Sequence, residues 1–456
     1  MYKLMLVIFM MASSSLFCWE KTFGTTGYDA ANCVIETTDH GYAMCGYISG
    51  SYLADIYLVK TDANGNKLFE KTYAYTMHED CGNFIQETAD LGFIICGYTG
   101  NAKALFYISL IKTDSSGNLT WSRQLGRNYN DYCYGNCVRE LSDGYIICGK
   151  ITQIYTESYV YLVKTDLQGN TIWSKVFDKG SNAVGNSIQL TNDGGFIICG
   201  TGYNSSTNSN DIYLIKTDSS GNKIWDYCYG GNGINDAGFG VQQTSDNGYI
   251  ICGCTDSSTK VRDAAIIKVN SSGAYVWGSL IGGNDLDEAH SIQIASDGYV
   301  LCGITKSYGA GATDVYLFKT DFSGNLRWQK TYGGSNEDYG YYSEITYDNR
   351  YIMAGVTYSY GSGYADCYLV KHDEQTGFTD YKSNFKLPMQ SFTANPNPFS
   401  SRLSLSLPSS GAVYSLTGQL IMNLPKGKHS VDTSKWREGV YIVKSGKETK
   451  RIVKIR

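Results

Sequence analysis

The chain has 456 residues and a formal net charge of −5, with 18% of residues charged. That mild acidic balance carries no basic footprint for nucleic acid. It holds 39 Tyr and 51 Gly but only 5 Pro, which fits many strand faces joined by tight turns.

Residues 1–18 read as a secretory signal peptide. Lys3 gives the positive start, Leu4–Ala12 the short apolar core and Ser13–Cys18 the small-residue exit. The apolar core is too short to anchor in a bilayer, and no later segment is long and apolar enough to cross one. Cys18 lacks the small residue just before it that a lipoprotein site wants.

Residues 19–377 are one unit copied seven times. The Lys of a K-T-D core, or the Lys in its register, falls at Lys60, Lys112, Lys164, Lys216, Lys268, Lys319 and Lys371. A period of 51–52 residues means one supersecondary unit repeated. Read from Asn186 to Gly230, the unit gives four short strands parted by N-D-G-G, a polar loop and S-S-G-N. No part has helical periodicity. One such sheet cannot bury both faces alone, and packing copies around an axis makes a seven-bladed β-propeller.

Closure is written in an offset. The aromatic-led fourth strand occurs at Trp19, Phe69, Trp121, Trp173, Trp225, Trp277 and Trp328, and no clear copy follows Lys371. The orphan strand at Trp19–Gly24 is therefore expected to complete the last blade. The aromatic itself reads as blade-to-blade packing. Variable polar loops between second and third strands, such as Thr201–Asn210 and Val356–Ala365, share one face and are where binding tends to reside.

Residues 378–390 read as a linker. Residues 391–456 open with T-A-N-P-N-P-F-S and continue as short alternating strands, which predicts a small immunoglobulin-like β-sandwich. The expected fold class is all-β throughout.

The tail's Asn397-Pro398, its L-T-G-Q turn around Gly418, its Gly439-Val440-Tyr441 and its basic final strand occur in that order. Together they resemble the C-terminal sorting domain of the type IX secretion system. The resemblance implies Sec export, passage over the outer membrane and the secretion machinery as partner. The protein would then be secreted or held at the cell surface. The body is similar to repeat propellers carried by such exported proteins and shares a kelch-like layout. Its T-D-x-x-G-N turns differ by one residue from the Asp-box of sialidase propellers, so sialidase chemistry is not carried over.

Few residues suggest chemistry. Of 14 Cys, Cys45, Cys96, Cys148, Cys199, Cys252 and Cys302 share one repeat position, filled by Ala354 in the last unit. They read as small buried thiols too far apart between blades to bridge, while the remaining cysteines could include a bridge on an oxidising route. No C-x-x-C, H-E-x-x-H or G-x-S-x-G occurs, so no metal or catalytic set is assigned. Asp29, Asp80, Asp236, Asp287 and Asp338 each precede a first strand, with Asp131 near that register. They read either as caps of their own turns or as an acidic ring for Ca²⁺ or sugar hydroxyls. Tyr308 and Tyr360, beside loop Asn residues, offer flat faces and hydroxyls suited to a glycan at the channel mouth. The reading is an exported binding or scaffold module, with glycans as the candidate ligand. The alternative is a polysaccharide-active enzyme using loop-face carboxylates.

Overall fold

The computed structural model describes residues 18–374 apart from 50–52, 75–78, 101–104, 127–130, 154–156, 180–181 and 257–260. It also describes the tail at 393–395, 402–407, 410–415, 420–425, 427–436, 439–445 and 448–454. The leader at 1–17, most of the linker, His78, Asn397, Pro398 and Gly418 lie outside the described residues. The chain divides into two compact units, Met1–Gly377 and Phe378–Arg456.

The first unit is a β-propeller of seven four-stranded antiparallel sheets. Blade 4 is typical, with strands Val184–Leu190, Phe196–Asn204, Ser209–Thr217 and Lys223–Tyr229 in sequence order. Its second and third strands are apolar and buried on both faces, because neighbouring blades cover them. Blade 7 takes three strands from Asp338–Ile345, Tyr351–Thr357 and Asp366–His372 and its fourth from Trp19–Phe23. That pairing is antiparallel and runs from Trp19↔Lys371 to Phe23↔Cys367.

The repeated residues have repeated jobs. Lys216 is 3% exposed and bonds Asp193 at 2.9 Å and the Thr217 carbonyl at 2.8 Å. The same Lys–Asp pair recurs in every blade, from Lys60–Asp39 to Lys371–Asp348. The K-T-D lysine thus ties the third strand to the N-D-G-G turn. Asp218 closes the next turn by accepting from Ser220 and Asn222 N–H. That turn's glycine packs on the preceding blade's Trp: at Gly221, φ is +73° and a Cβ would lie 2.5 Å from the Trp173 ring. Only glycine meets both demands.

Each first strand carries a bulge, and its extra residue reaches the neighbouring blade. Asn32, Asn83, Asn136 and Asn186 donate side-chain N–H groups to the carbonyls of Gly82, Gly135, Gly185 and Gly238, at 2.8–3.0 Å. These bonds stitch blade to blade around the central channel.

The second unit is all-β. Thr393–Asn395, Arg402–Leu407 and Gly427–Asp432 form one sheet. Leu420–Leu424, Gly411–Ser415, Gly439–Ser445 and Glu448–Lys454 form the other. Leu403, Leu405, Leu407, Val413, Val431, Tyr441 and Val443 make the core between them. Gly439 opens a central strand, and Tyr441 packs its ring 4.8 Å from that of Trp436.

Candidate functional site

The starts of first and third strands meet the ends of second and fourth strands on one face of the propeller. There the predicted aspartates lie buried: Asp29, Asp80, Asp287 and Asp338 at 0% and Asp236 at 5% exposure. Asp29, Asp236, Asp287 and Asp338 each hold their own entry loop. Asp29 Oδ1 accepts from Ser49 N–H at 2.8 Å, and its Oδ2 accepts from the Thr25 N–H and hydroxyl. Asp287 accepts from Gly283 N–H and the Ser307 hydroxyl, both at 2.7 Å. Asp338 repeats this with Gly334 and Ser359, and Asp236 accepts from Gly231 N–H. Asp131 starts its strand two residues early, so Cys133 sits in the register that Asp29 holds in blade 1.

A second carboxylate faces several of these across the blade junction. Around Gly230, a Cβ would lie 2.4 Å from Asp236 Oδ2 and 2.5 Å from Asp211 Oδ1. The pairs Asp263–Asp287, Asp314–Asp338 and Asp366–Asp29 bracket Gly282, Gly333 and Gly24 in the same way. The glycine after the fourth strand is thus set by the carboxylates. Burial pushes Asp236 up to about 6, and Asp211 adds to the rise. Burial and the facing carboxylate likewise raise Asp263, Asp314 and Asp366. Among the described residues, no group of three or more His, Cys, Asp or Glu side chains could hold a metal ion.

The channel breaks the sevenfold pattern at blades 5 to 7. Phe239, His290 and Tyr341 take the places that Asn fills in blades 1 to 4. His290 bonds the Gly340 carbonyl through Nδ1 and Glu288 Oε2 through Nε2, both at 2.8 Å. Both ring nitrogens thus face oxygen atoms of neighbouring groups. Arg262 joins Glu288 and Asp256, each at 2.8 Å. Burial opposes ionisation of Glu288, but His290 and Arg262 outweigh it and hold the carboxyl down to about 2. Aromatic rings flank this chain: His290 stacks on Tyr341 at 5.9 Å, and Phe239 meets it edge-on at 5.0 Å. Tyr339 stacks on Tyr341 and meets Tyr358 edge-on. Across the mouth, Tyr98, Phe106 and Tyr134 cluster, with Lys150 Nζ over the Tyr134 ring at 4.8 Å. Deeper in the channel, Arg139 lies 4.4 Å over the Phe84 ring, and burial lifts Glu344 to about 7.

Tyr308 and Tyr360 occupy equivalent places at successive junctions. Their hydroxyls donate to the carbonyls of Gly282 and Gly333, each at 2.9 Å. Their rings lean on the third-strand residues Tyr316 and Tyr368. The structure therefore spends both hydroxyls on blade stitching and does not join the two rings to the Glu288–His290 chain. Tyr360 still keeps a face open, at 45% exposure. Beside it, Tyr28 and Tyr364 stack at 5.3 Å with rings 13° apart, exposed by 50% and 70%. Backbone bonds from Tyr364 and Ala365 N–H to the Gly27 carbonyl pin the two loops together.

The sequence reading did not join His290 to Glu288 and Arg262, and it passed over Tyr28, Tyr339 and Tyr341. The signal was present as departures from the repeat: Glu288 stands where other units carry Ala30, Cys81 or Ala237. On the opposite face, a cavity of about 230 Å³ lies between blades 4 and 5, walled by Lys216, Trp225, Gln243 and Tyr249.

Fold and tail together define a β-propeller that carries a type IX sorting domain. Residues 393–455 match the secretion system C-terminal sorting domain. That domain marks a protein for secretion or for attachment at the cell surface. No curated protein matches the chain. Among solved structures, it is similar at 12% identity and a TM-score of 0.45 to PorZ, a surface component of the type IX secretion system of Porphyromonas gingivalis. The match covers 95% of this chain but only 60% of that one. The WD40 propeller domain of Doa1 matches at 11% identity and a TM-score of 0.48, over 79% of this chain and 98% of its own. The polysaccharide lyase Uly1 matches at 11% and 0.45, over 76% and 90%.

Proposed function

We propose that this is a Sec-exported binding module that captures a glycan on its loop face, with the propeller as rigid scaffold and the tail as its route across the outer membrane. The observation that carries the reading is the open, stacked pair Tyr28–Tyr364 beside the exposed rings of Tyr358 and Tyr360. Flat aromatic faces held rigid offer sugar rings apolar contact at low entropic cost. The loops that carry the pair are tied across the ring closure, so the platform is preorganised. The test is a polysaccharide-retention screen on the full chain and on the double variant Tyr28→Ala/Tyr364→Ala. At least a tenfold loss of retention at unchanged melting temperature is expected. Equal retention by both proteins would remove the platform from the reading.

The Glu288–His290–Arg262 chain favours a second reading, a polysaccharide-active enzyme. Here linked charged side chains break the repeat at the channel. Sugar release by the parent that Glu288→Gln abolishes, with retention intact, would favour it over simple capture.

A further inference from the structure

We propose that the exported protein carries two cross-strand disulfides, Cys33–Cys45 in blade 1 and Cys137–Cys148 in blade 3. In these two blades the cysteine of the second strand faces another cysteine directly across the ladder. The equivalent cysteines face something else: Cys96 faces Phe84, Cys199 faces Ser187, Cys252 faces Gly240 and Cys302 faces Ser291. Cysteine thus opposes cysteine in two registers of the ring.

The geometry suits a bond. Directly opposed residues on antiparallel strands have Cα atoms about 4.5–5.5 Å apart, inside the range a disulfide spans. Blade 5 measures the same register with one partner removed: a Cβ built on Gly240 lies 2.9 Å from Cys252 Sγ. Across a disulfide, the Cβ of one cysteine sits about 3.0 Å from the sulfur of the other, given an S–S bond near 2.05 Å. In blade 3 both sulfurs point to blade 4, Cys137 at the Ile188 carbonyl and Cys148 at that of Gly185, each 3.8 Å away. Turning the side chains about χ1 brings them together without moving a strand.

All four thiols are free in the structure and no more than 1% exposed. Oxidation therefore precedes closure of the blades. The oxidant is a disulfide of the export compartment, of protein or small-molecule class. One cysteine thiolate attacks a donor sulfur and releases one donor thiol. The second thiolate then attacks the mixed disulfide and releases the other. Two protein thiols lose two electrons and two protons, and the donor disulfide becomes two thiols. This repairs the reading that every ladder cysteine stays reduced: it holds for Cys96, Cys199, Cys252 and Cys302 and fails where the bulged strand supplies a partner.

The test uses the full chain recovered after export. The protein is denatured in iodoacetamide, reduced, relabelled with N-ethylmaleimide and mapped by peptide mass. Cys33, Cys45, Cys137 and Cys148 should carry the second label, and Cys96, Cys199, Cys252 and Cys302 the first. In Cys45→Ala, Cys33 should move to the first label while Cys137 and Cys148 keep the second. First label on all four in the parent would overturn the proposal. So would second label on Cys33 in Cys45→Ala, which would mean a different partner.

Discussion

Removing Trp19–Phe23 should open the ring. The strand holds the outer edge of Asp366–His372, whose residues are buried throughout. Five residue pairs are lost from the ladder. With about one hydrogen bond per pair and a net worth of about 0.5–1.5 kcal/mol each, the ladder alone contributes about 2.5–7.5 kcal/mol. Trp19 also packs edge-on to Tyr42 at 5.8 Å and lies under Gly65. Truncating a core Trp costs about 3–5 kcal/mol, and Trp19 is only partly buried, so the lower end applies. Even the two low ends together, about 6 kcal/mol, are comparable to the whole stability of many domains, about 5–15 kcal/mol. The deletion variant should therefore melt about 8 °C or more below the parent by differential scanning calorimetry. A synthetic peptide of residues 18–24 added in excess should recover part of the loss by adding the missing strand. Melting within a degree or two of the parent, with no response to peptide, would refute closure by this strand.

Other outcomes follow from single residues. Gly221→Ala forces a Cβ to 2.5 Å from Trp173 at positive φ; about 2–4 kcal/mol of destabilisation should appear in urea unfolding. Asn186→Ala strands the buried Gly238 carbonyl and should cost about 1–3 kcal/mol in the same assay. Stability should also peak at mildly acidic pH. Burial raises Asp236 to about 6 and Glu344 to about 7, above their unfolded values, so stability grows as pH falls from 7 toward 4.5. Burial also raises Asp39, Asp90, Asp193 and Asp348, but bonds from a turn Thr and the blade Lys outweigh it and hold each at about 2. The stability these give is complete above about pH 4 and is lost as pH falls toward 2, which melting scans from pH 2 to 8 would trace. Removing residues 391–456 should leave a folded propeller short of the cell surface, as fractionation with circular dichroism would report.

Much of the fold was legible because it is repeated. The lysine register set the blade count, and the orphan W-E-K-T-F strand set the closure. What stayed hidden were contacts that cross from one blade to the next. A single repeat cannot say that Asn186 bonds Gly238, that Gly221 lies on Trp173, or that Asp211 faces Asp236, since each partner belongs to the neighbouring copy. The candidate site was less legible for the same reason. Asp29 and Tyr360 stood out by residue type and recurrence, and both prove to hold loops together.

Recurrence is therefore a guide to scaffold more than to ligand. A residue present in most blades answers a demand made by every blade, such as closing a turn or neutralising Lys216. A ligand is not sevenfold, so the residues that meet it are free to differ between copies. Departures gather where blades 5, 6 and 7 meet the closure: Phe239, Glu288, His290, Tyr341 and, on the rim, Tyr28 and Tyr364. Glu288 and His290 bond each other at 2.8 Å, and the aromatic rings beside them supply area without net charge. Under the proposed reading, an opening lined by aromatic rings suits a neutral, hydroxyl-rich ligand. The Tyr28–Tyr364 platform presents the same chemistry, apolar faces rimmed by hydroxyls, which is why the glycan reading rests there rather than on the aspartate ring.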